Sequence, residues 1–307
     1  MIGIVAPASP ARSEERIKRS VQYLERLGYR VELGKHLATV SSLPAPDYLA
    51  ASDSERLKDL HTMFRNKHVR MIMYHRGGFG SIRLLDRIDY DLVRANPKII
   101  VGYSDATALH AALHKKAGLA SSFFGPMPGV DLWDTIDPFT EEHFWKVVTA
   151  AHSGPLPLPS PAQVKGPATF TVTGKMIGGN LTVLNSLLGT PYQPSFRGVI
   201  PFFEEIDEKP RKVDAMLTQL RLAGAFNDAP AVLLGDLTGC DQDPDAPTRP
   251  LAKVIDATIG ALGIPVVSGL PFGHEKRMWT LPFGARLRVE RKRGGHVTVS
   301  LEGRYLA

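Results

Sequence analysis

Apolar and polar positions alternate along this chain in two rhythms. Strand-like apolar segments occupy residues 3–6, 30–33, 69–74 and 99–101. Between them, apolar residues recur every three or four positions. Ile17, Val21, Leu24 and Leu27 fall on one face of a helix over 13–27. A second amphipathic helix is predicted over 53–66, opened by a serine cap at Ser52 or Ser54. A helical pattern also follows residue 81, and another follows Ser104. Strands that alternate with helices predict a doubly wound, mostly parallel sheet covered on both faces.

The rhythm breaks near residue 153. Gly154-Pro155-Leu156-Pro157-Leu158-Pro159-Ser160-Pro161 is too rich in proline for a helix or a central strand. Residues 153–167 read as an extended linker between an N-terminal α/β domain, 1–152, and a C-terminal mixed α/β domain, 168–307. In the second half strands are predicted at 169–172, 199–203, 231–234 and 266–267. Helices are predicted at 181–188, 213–223 and 251–262, and a β-hairpin at 285–289 with 296–301.

Composition narrows the function. The 307 residues suffice for two ordinary domains, and 43% hydrophobic with 22% charged residues is a globular balance. The formal charge of +6 suits anionic partners, but the basic residues are scattered. No basic helix or basic–aromatic interleaving points to nucleic acid. Cys240 is the single cysteine, which excludes an intrachain disulfide and a thiolate metal site. No His/Asp/Glu cluster has metal-ligand spacing, so neither metal nor organic cofactor is expected. The N-terminus lacks a basic leader and no segment reaches the length of a membrane span. The expectation is a cytoplasmic protein.

Ile99-Ile100-Val101-Gly102-Tyr103-Ser104 carries the first chemical signal. A strand ends in a glycine and a bend, and a helix follows. A serine at such a turn has its hydroxyl lifted from the sheet beside the helix's first amides. Ala106 stands where a nucleophile elbow has its second glycine, and taken alone Ser104 is better explained as a helix cap. His274 lies in a Gly/Pro-rich loop just after the strand 265–267, at the end of a strand where ligands bind in open α/β sheets. Phe202-Phe203-Glu204-Glu205 is a strand ending in two acids, and only one of them can face a given site. Arg76-Gly77-Gly78-Phe79-Gly80 fits neither nucleotide-binding glycine pattern, but its amides can hold an anion.

Together with Ile2-Gly3-Ile4-Val5-Ala6-Pro7-Ala8-Ser9, Gly125-Pro126-Met127 and Gly178-Gly179-Asn180-Leu181, these motifs resemble, in order and spacing, the LD-carboxypeptidase family of serine peptidases. The resemblance runs nearly end to end. It implies a Ser104–His274–Glu204 triad drawn from both halves of the chain, with Glu204 preferred to Glu205 as the first acid of the strand-end motif. It implies an oxyanion hole of the Gly78 and Asp105 amides, and a positioning role for Asn180. Gly77 joins the substrate-binding set, with Arg76 and Arg277 as cations for a substrate carboxylate. Phe124 departs from the more polar residue expected before Gly125 and bears on the pocket rather than the triad. The activity implied is release of a terminal D-residue, D-Ala foremost, from murein tetrapeptides in cell-wall recycling, by a homodimer. Immunity peptidases of the microcin C type, which cleave aminoacyl-nucleotide amides, would share the triad. A binding module without catalysis and an α/β-hydrolase esterase are the remaining alternatives.

Overall fold

The computed structural model describes residues 1–38, 47–150, 153–243 and 247–305. The chain divides into two compact units, Met1–Thr149 with Thr280–Phe283, and Ala150–Trp279 with Gly284–Tyr305.

In the first unit, β1 (Ile2–Val5), β2 (Val31–Leu33), β3 (Met71–Tyr74), β4 (Ile99–Gly102) and β5 (Ser122–Phe124) form a parallel sheet ordered β5-β4-β3-β1-β2. Every residue of β1 and β3 is buried, as both faces of a parallel sheet require. The crossovers carry the helices Glu14–Arg26, Asp53–Arg65 and Thr107–Ala117. Ser52 makes a complete capping box with Glu55 at the start of Asp53–Arg65. A Cβ on Gly102 would lie 2.8 Å from the Tyr74 ring and 3.0 Å from Ala106 Cβ, so only glycine lets β4 turn here.

The second unit holds an eight-stranded sheet. Its strands are β6 (Gly154–Pro155), β7 (Gln163–Lys165), β8 (Phe170–Asn180), β9 (Ile200–Ile206), β10 (Val232–Thr238), β11 (Val266–Ser268), β13 (Arg286–Arg291) and β14 (Val297–Glu302). Their order is β6-β14-β13-β8-β9-β10-β11-β7, parallel from β8 to β11 and antiparallel elsewhere. The expected hairpin at 285–301 is β13–β14. Between β11 and β13 the chain makes β12 (Leu281–Pro282), which pairs antiparallel with β5 and completes the first sheet. The fold is therefore the expected mixed α/β with a mostly parallel N-terminal sheet.

Several boundaries differ from the sequence reading. Residues 153–167 are not a free linker, since β6 and β7 from this stretch form the two outer strands of the second sheet. Proline is tolerated there because an edge strand leaves one side of its backbone unpaired. The expected boundary at 152 falls outside the described residues. Return of Thr280–Phe283 to the first unit was not legible, because two paired residues have no period to detect. The helix predicted at 213–223 begins at Pro210, the first helical position where proline loses no hydrogen bond. The strand predicted at 169–172 runs on to Asn180.

Candidate active site

Ser104 sits one residue beyond the end of β4, after Tyr103, with φ 61°. Only three non-glycine residues described here have positive φ, and the conformation stores strain that the surrounding structure must hold. The residue is thus not the N-cap that a serine in this place suggests; Tyr103 occupies that position. Three buried groups hold the turn. The Asp105 carboxylate accepts the Ser81 amide at 2.9 Å. His110, buried in the helix Thr107–Ala117, bonds the Gly102 carbonyl through Nε2 at 2.8 Å and Ser122 Oγ through Nδ1 at 2.5 Å. A carbonyl only accepts, so Nε2 carries the proton and Ser122 donates to Nδ1. Burial keeps this ring neutral, with its pKa down at about 4.

The glycine-rich loop after β3 lies against this turn. A Cβ on Gly77 would stand 3.0 Å from Ser104 Oγ and 3.3 Å from the Asp105 amide nitrogen. Gly78, at φ 106°, would place a Cβ 2.6 Å from Ser9 Cβ. Ser9 in turn accepts the Phe79 amide at 3.2 Å. The buried Arg56 guanidinium donates to the carbonyls of Pro7, Ala51 and Gly80 and to Asp53, so it ties the loop to the segment after β1. The structure therefore brings Gly77, Ser104 and Asp105 together and keeps Gly78 against Ser9. Arg76 is half-buried and donates to the Pro10 carbonyl at 3.1 Å. Burial lowers its pKa, and the charges of Arg12 and Arg16 lower it further. Phe124 is buried in β5 with its ring 5.6 Å from Tyr103.

In the second unit, Glu204 and Glu205 lie near the end of β9 and diverge as strand geometry demands. Glu204 Oε2 is 2.6 Å from His274 Nδ1. Its side chain is fully buried and that of His274 is 13% exposed. Burial raises the Glu204 pKa, and the hydrogen bond from His274 opposes this. With Nδ1–H given to Glu204, neutral His274 carries its lone pair on Nε2, the form a general base needs. Asn180 acts on both acids, and Glu205 adds partners of its own. It accepts from Asn180 Nδ2 at 2.8 Å and from both the Thr182 amide and hydroxyl at 2.7 Å. Asn180 Oδ1 caps the helix Leu181–Ser186 through the Val183 amide. This geometry separates the two acids that the sequence left open. Arg277 is exposed in the loop beyond His274.

Sequence reasoning passed over Arg56, His110 and Asp236. Arg56 and His110 sit in amphipathic helices, where a polar residue ordinarily faces water. Asp236 stands in β10 beside Gly235, and that glycine inside an apolar strand was a readable sign of a bulge. Among the described residues no group of three or more His, Cys, Asp or Glu could hold a metal ion. Nor is any described helix long and apolar enough to cross a membrane.

The first unit thus holds a strained serine turn against a glycine loop, and the second a buried Glu–His pair. The chain belongs to the LD-carboxypeptidase family, whose N-terminal domain matches residues 2–125 and whose C-terminal domain matches residues 173–289. Among individual relatives, a probable murein peptide carboxypeptidase of Bacillus subtilis is 36% identical over 290 residues, 93% of this chain and 87% of that protein. The microcin C7 self-immunity protein MccF of Escherichia coli is 30% identical over 319 residues, covering 94% and 90%. Among solved structures, MccF in complex with glutamyl sulfamoyl guanosine superposes with a TM-score of 0.87 at 28% identity, covering 100% of this chain and 96% of that one. Muramoyltetrapeptide carboxypeptidase from Oxalobacter formigenes gives 0.82 at 30% identity, covering 99% of both.

Proposed function

We propose that this chain is a serine carboxypeptidase that releases a terminal D-amino acid, D-Ala in the first instance, from murein tetrapeptides. The observation that carries the reading is the buried 2.6 Å Glu204–His274 pair, in a chain whose Ser104 is held at positive φ beside a glycine-rich loop. The 36% identity to a murein peptide carboxypeptidase supports the substrate.

In this mechanism His274 Nε2 takes the Ser104 proton as Oγ attacks the carbonyl of the L,D-amide. The carbonyl oxygen becomes an oxyanion, received by the amides of Gly78 and Asp105. On collapse the C–N bond breaks and His274 passes the proton to the departing amine. Water then attacks the ester carbonyl, giving its proton to His274, and the C–Oγ bond breaks as His274 passes that proton to Oγ, regenerating Ser104 and the neutral imidazole. Glu204 orients the imidazole and stabilises its cation. Arg76 binds the terminal carboxylate of the substrate, and Gly77 leaves room for it beside Ser104. Arg277 provides a second cation, and Asn180 acts through its helix cap and Glu205. The role fits a cytoplasmic homodimer in cell-wall recycling.

Wild type and Ser104→Ala are incubated with L,D-tetrapeptide, and released D-Ala is detected by mass. Release by wild type alone supports the reading. No release by either moves the substrate to aminoacyl-nucleotide amides, the class suggested by the likeness to MccF. Equal release by both identifies the wrong serine.

A further inference from the structure

The end of β10 holds a carboxyl group that the proposed mechanism does not use. The register between β9 and β10 shifts between Leu234 and Leu237, so Gly235 and Asp236 form a bulge. Bulges re-aim side chains and gather beside functional sites. Here the bulge is clasped by the histidine loop, since the Asp236 amide donates to the Phe272 carbonyl at 2.8 Å. A Cβ on Gly273 would lie 2.9 Å from Asp236 Cβ, 3.2 Å from its Oδ2 and 3.3 Å from Glu204 Cβ. The backbone that delivers His274 is thus packed against both carboxyl-bearing side chains, and only a glycine at φ 142° lets it approach so closely. Asp236 Oδ2 is buried and has no hydrogen-bond partner, while the carboxyl takes a backbone hydrogen bond from Glu275.

We propose that Asp236 is a second carboxylate of the Glu204–His274 pair, a positioning residue that seats the histidine loop on the bulge and sets how readily His274 holds a proton. The proposal rests on reading His274 as the general base. The titratable groups around Asp236 are Glu204 from β9 and His274 and Glu275 from the loop. Glu275 is itself held by Thr238 Oγ1 at 2.9 Å. Burial, then the charges of Glu275 and Glu204, push the Asp236 carboxyl up to about 7, against the opposing pull of His274. Its charge therefore appears near neutral pH. Once ionised it stabilises the imidazolium, so His274 is a stronger base above that point than Glu204 alone would make it.

The test follows the His274 imidazole by NMR in the full chain, labelled at its ring nuclei, for wild type and Asp236→Asn. The expected result is a protonation midpoint about one pH unit lower in the variant, the size typical of losing one nearby opposite charge. An unchanged midpoint overturns the proposal. The wild-type spectra give a second test that needs no variant. The His274 shift should show a further step near pH 7 as Asp236 ionises, and a single-step curve overturns the proposal equally. Turnover adds a readout that a merely structural role leaves alone: the acid limb of the kcat/KM profile moves to lower pH in Asp236→Asn. Because the titration uses no substrate, failure to cleave tetrapeptide removes the proposed function and leaves this inference standing or falling on its own result.

Discussion

The two regions that carry the candidate chemistry are built with opposite charge. Around Ser104 the side chains are guanidinium groups and neutral rings. Arg76 is half-buried there, Arg12 and Arg16 act on it, and Arg56 is buried beneath the glycine loop. Of the carboxyls there, Asp105 accepts the Ser81 amide and Asp53 accepts from Arg56, while Arg76 keeps its charge beside Arg12 and Arg16. Around His274 the order is reversed: Glu204 holds the imidazole, and Asp236 lies within the influence of Glu275, Glu204 and His274. Acyl transfer by a serine and a histidine develops negative charge on the substrate oxygen and positive charge on the ring. Each region is electrostatically suited to one of these, before any substrate is present. The supporting means differ as well. The serine turn depends on backbone conformation and close approach, the histidine loop on buried carboxyl groups.

The comparison is broken most severely at Glu204. Glu204→Gln keeps the shape but removes the charge that balances the imidazolium and favours the correct ring tautomer. A fall in kcat of roughly a thousand- to ten-thousandfold is expected, by analogy with loss of the triad acid in well-characterised serine peptidases. Glu205→Gln, one residue away, should cost less than tenfold, because Glu205 anchors Asn180 and Thr182 and not His274. Its larger effect should be a lower Tm. Steady-state release of D-Ala by the two variants decides this, and equal losses would overturn the assignment of the acid.

The cationic side is sharpened by Arg76→Gln. If Arg76 holds the substrate carboxylate in ground and transition states alike, KM should rise about ten- to hundredfold with kcat within about twofold, the range for a charge-assisted hydrogen bond. A kcat loss without a KM change would place Arg76 in support of the glycine loop, where its bond to the Pro10 carbonyl already acts.

Much of this was legible in the residues. The parallel first sheet followed from buried apolar runs separated by helix-period stretches, and Ser104, His274 and Glu204 each stood at the end of a strand beside turn residues. What could not be read was tertiary. Periodicity says that Arg56 and His110 lie in helices but not that each reaches a backbone carbonyl in the interior. A run of prolines reads as a connector until the sheet edges that accept it are known. The acids Glu204 and Glu205 are adjacent and chemically alike, and only their burial partners distinguish them. The raised Asp236 carboxyl arises from groups on three separate segments, so no local pattern contains it.

The difference between the regions should also appear as a difference in response to acid, the smallest of these effects. Burial holds His75 at about 3 and His110 at about 4, both in the first unit and both below the ordinary 6.5. Unfolding lets each take up a proton once the pH is under 6.5, so the stability they contribute is full above 6.5 and is lost as pH falls toward 4. Asp236 has the opposite sign. Its folded value lies above its ordinary 3.8, so its contribution favours folding at low pH and is lost as pH rises through about 7. Asp105, also raised by burial, offsets part of the histidine loss in the first unit. Lowering the pH from 7 to 5 should therefore reduce amide-exchange protection in β3, β4 and β5, once intrinsic rates are corrected, while β9 and β10 hold or gain. In Asp236→Asn the gain in β9 and β10 should vanish while the loss in the first sheet persists. Parallel changes in both sheets would mean that the two regions open as one cooperative unit, and that their opposite charge is read out in chemistry alone.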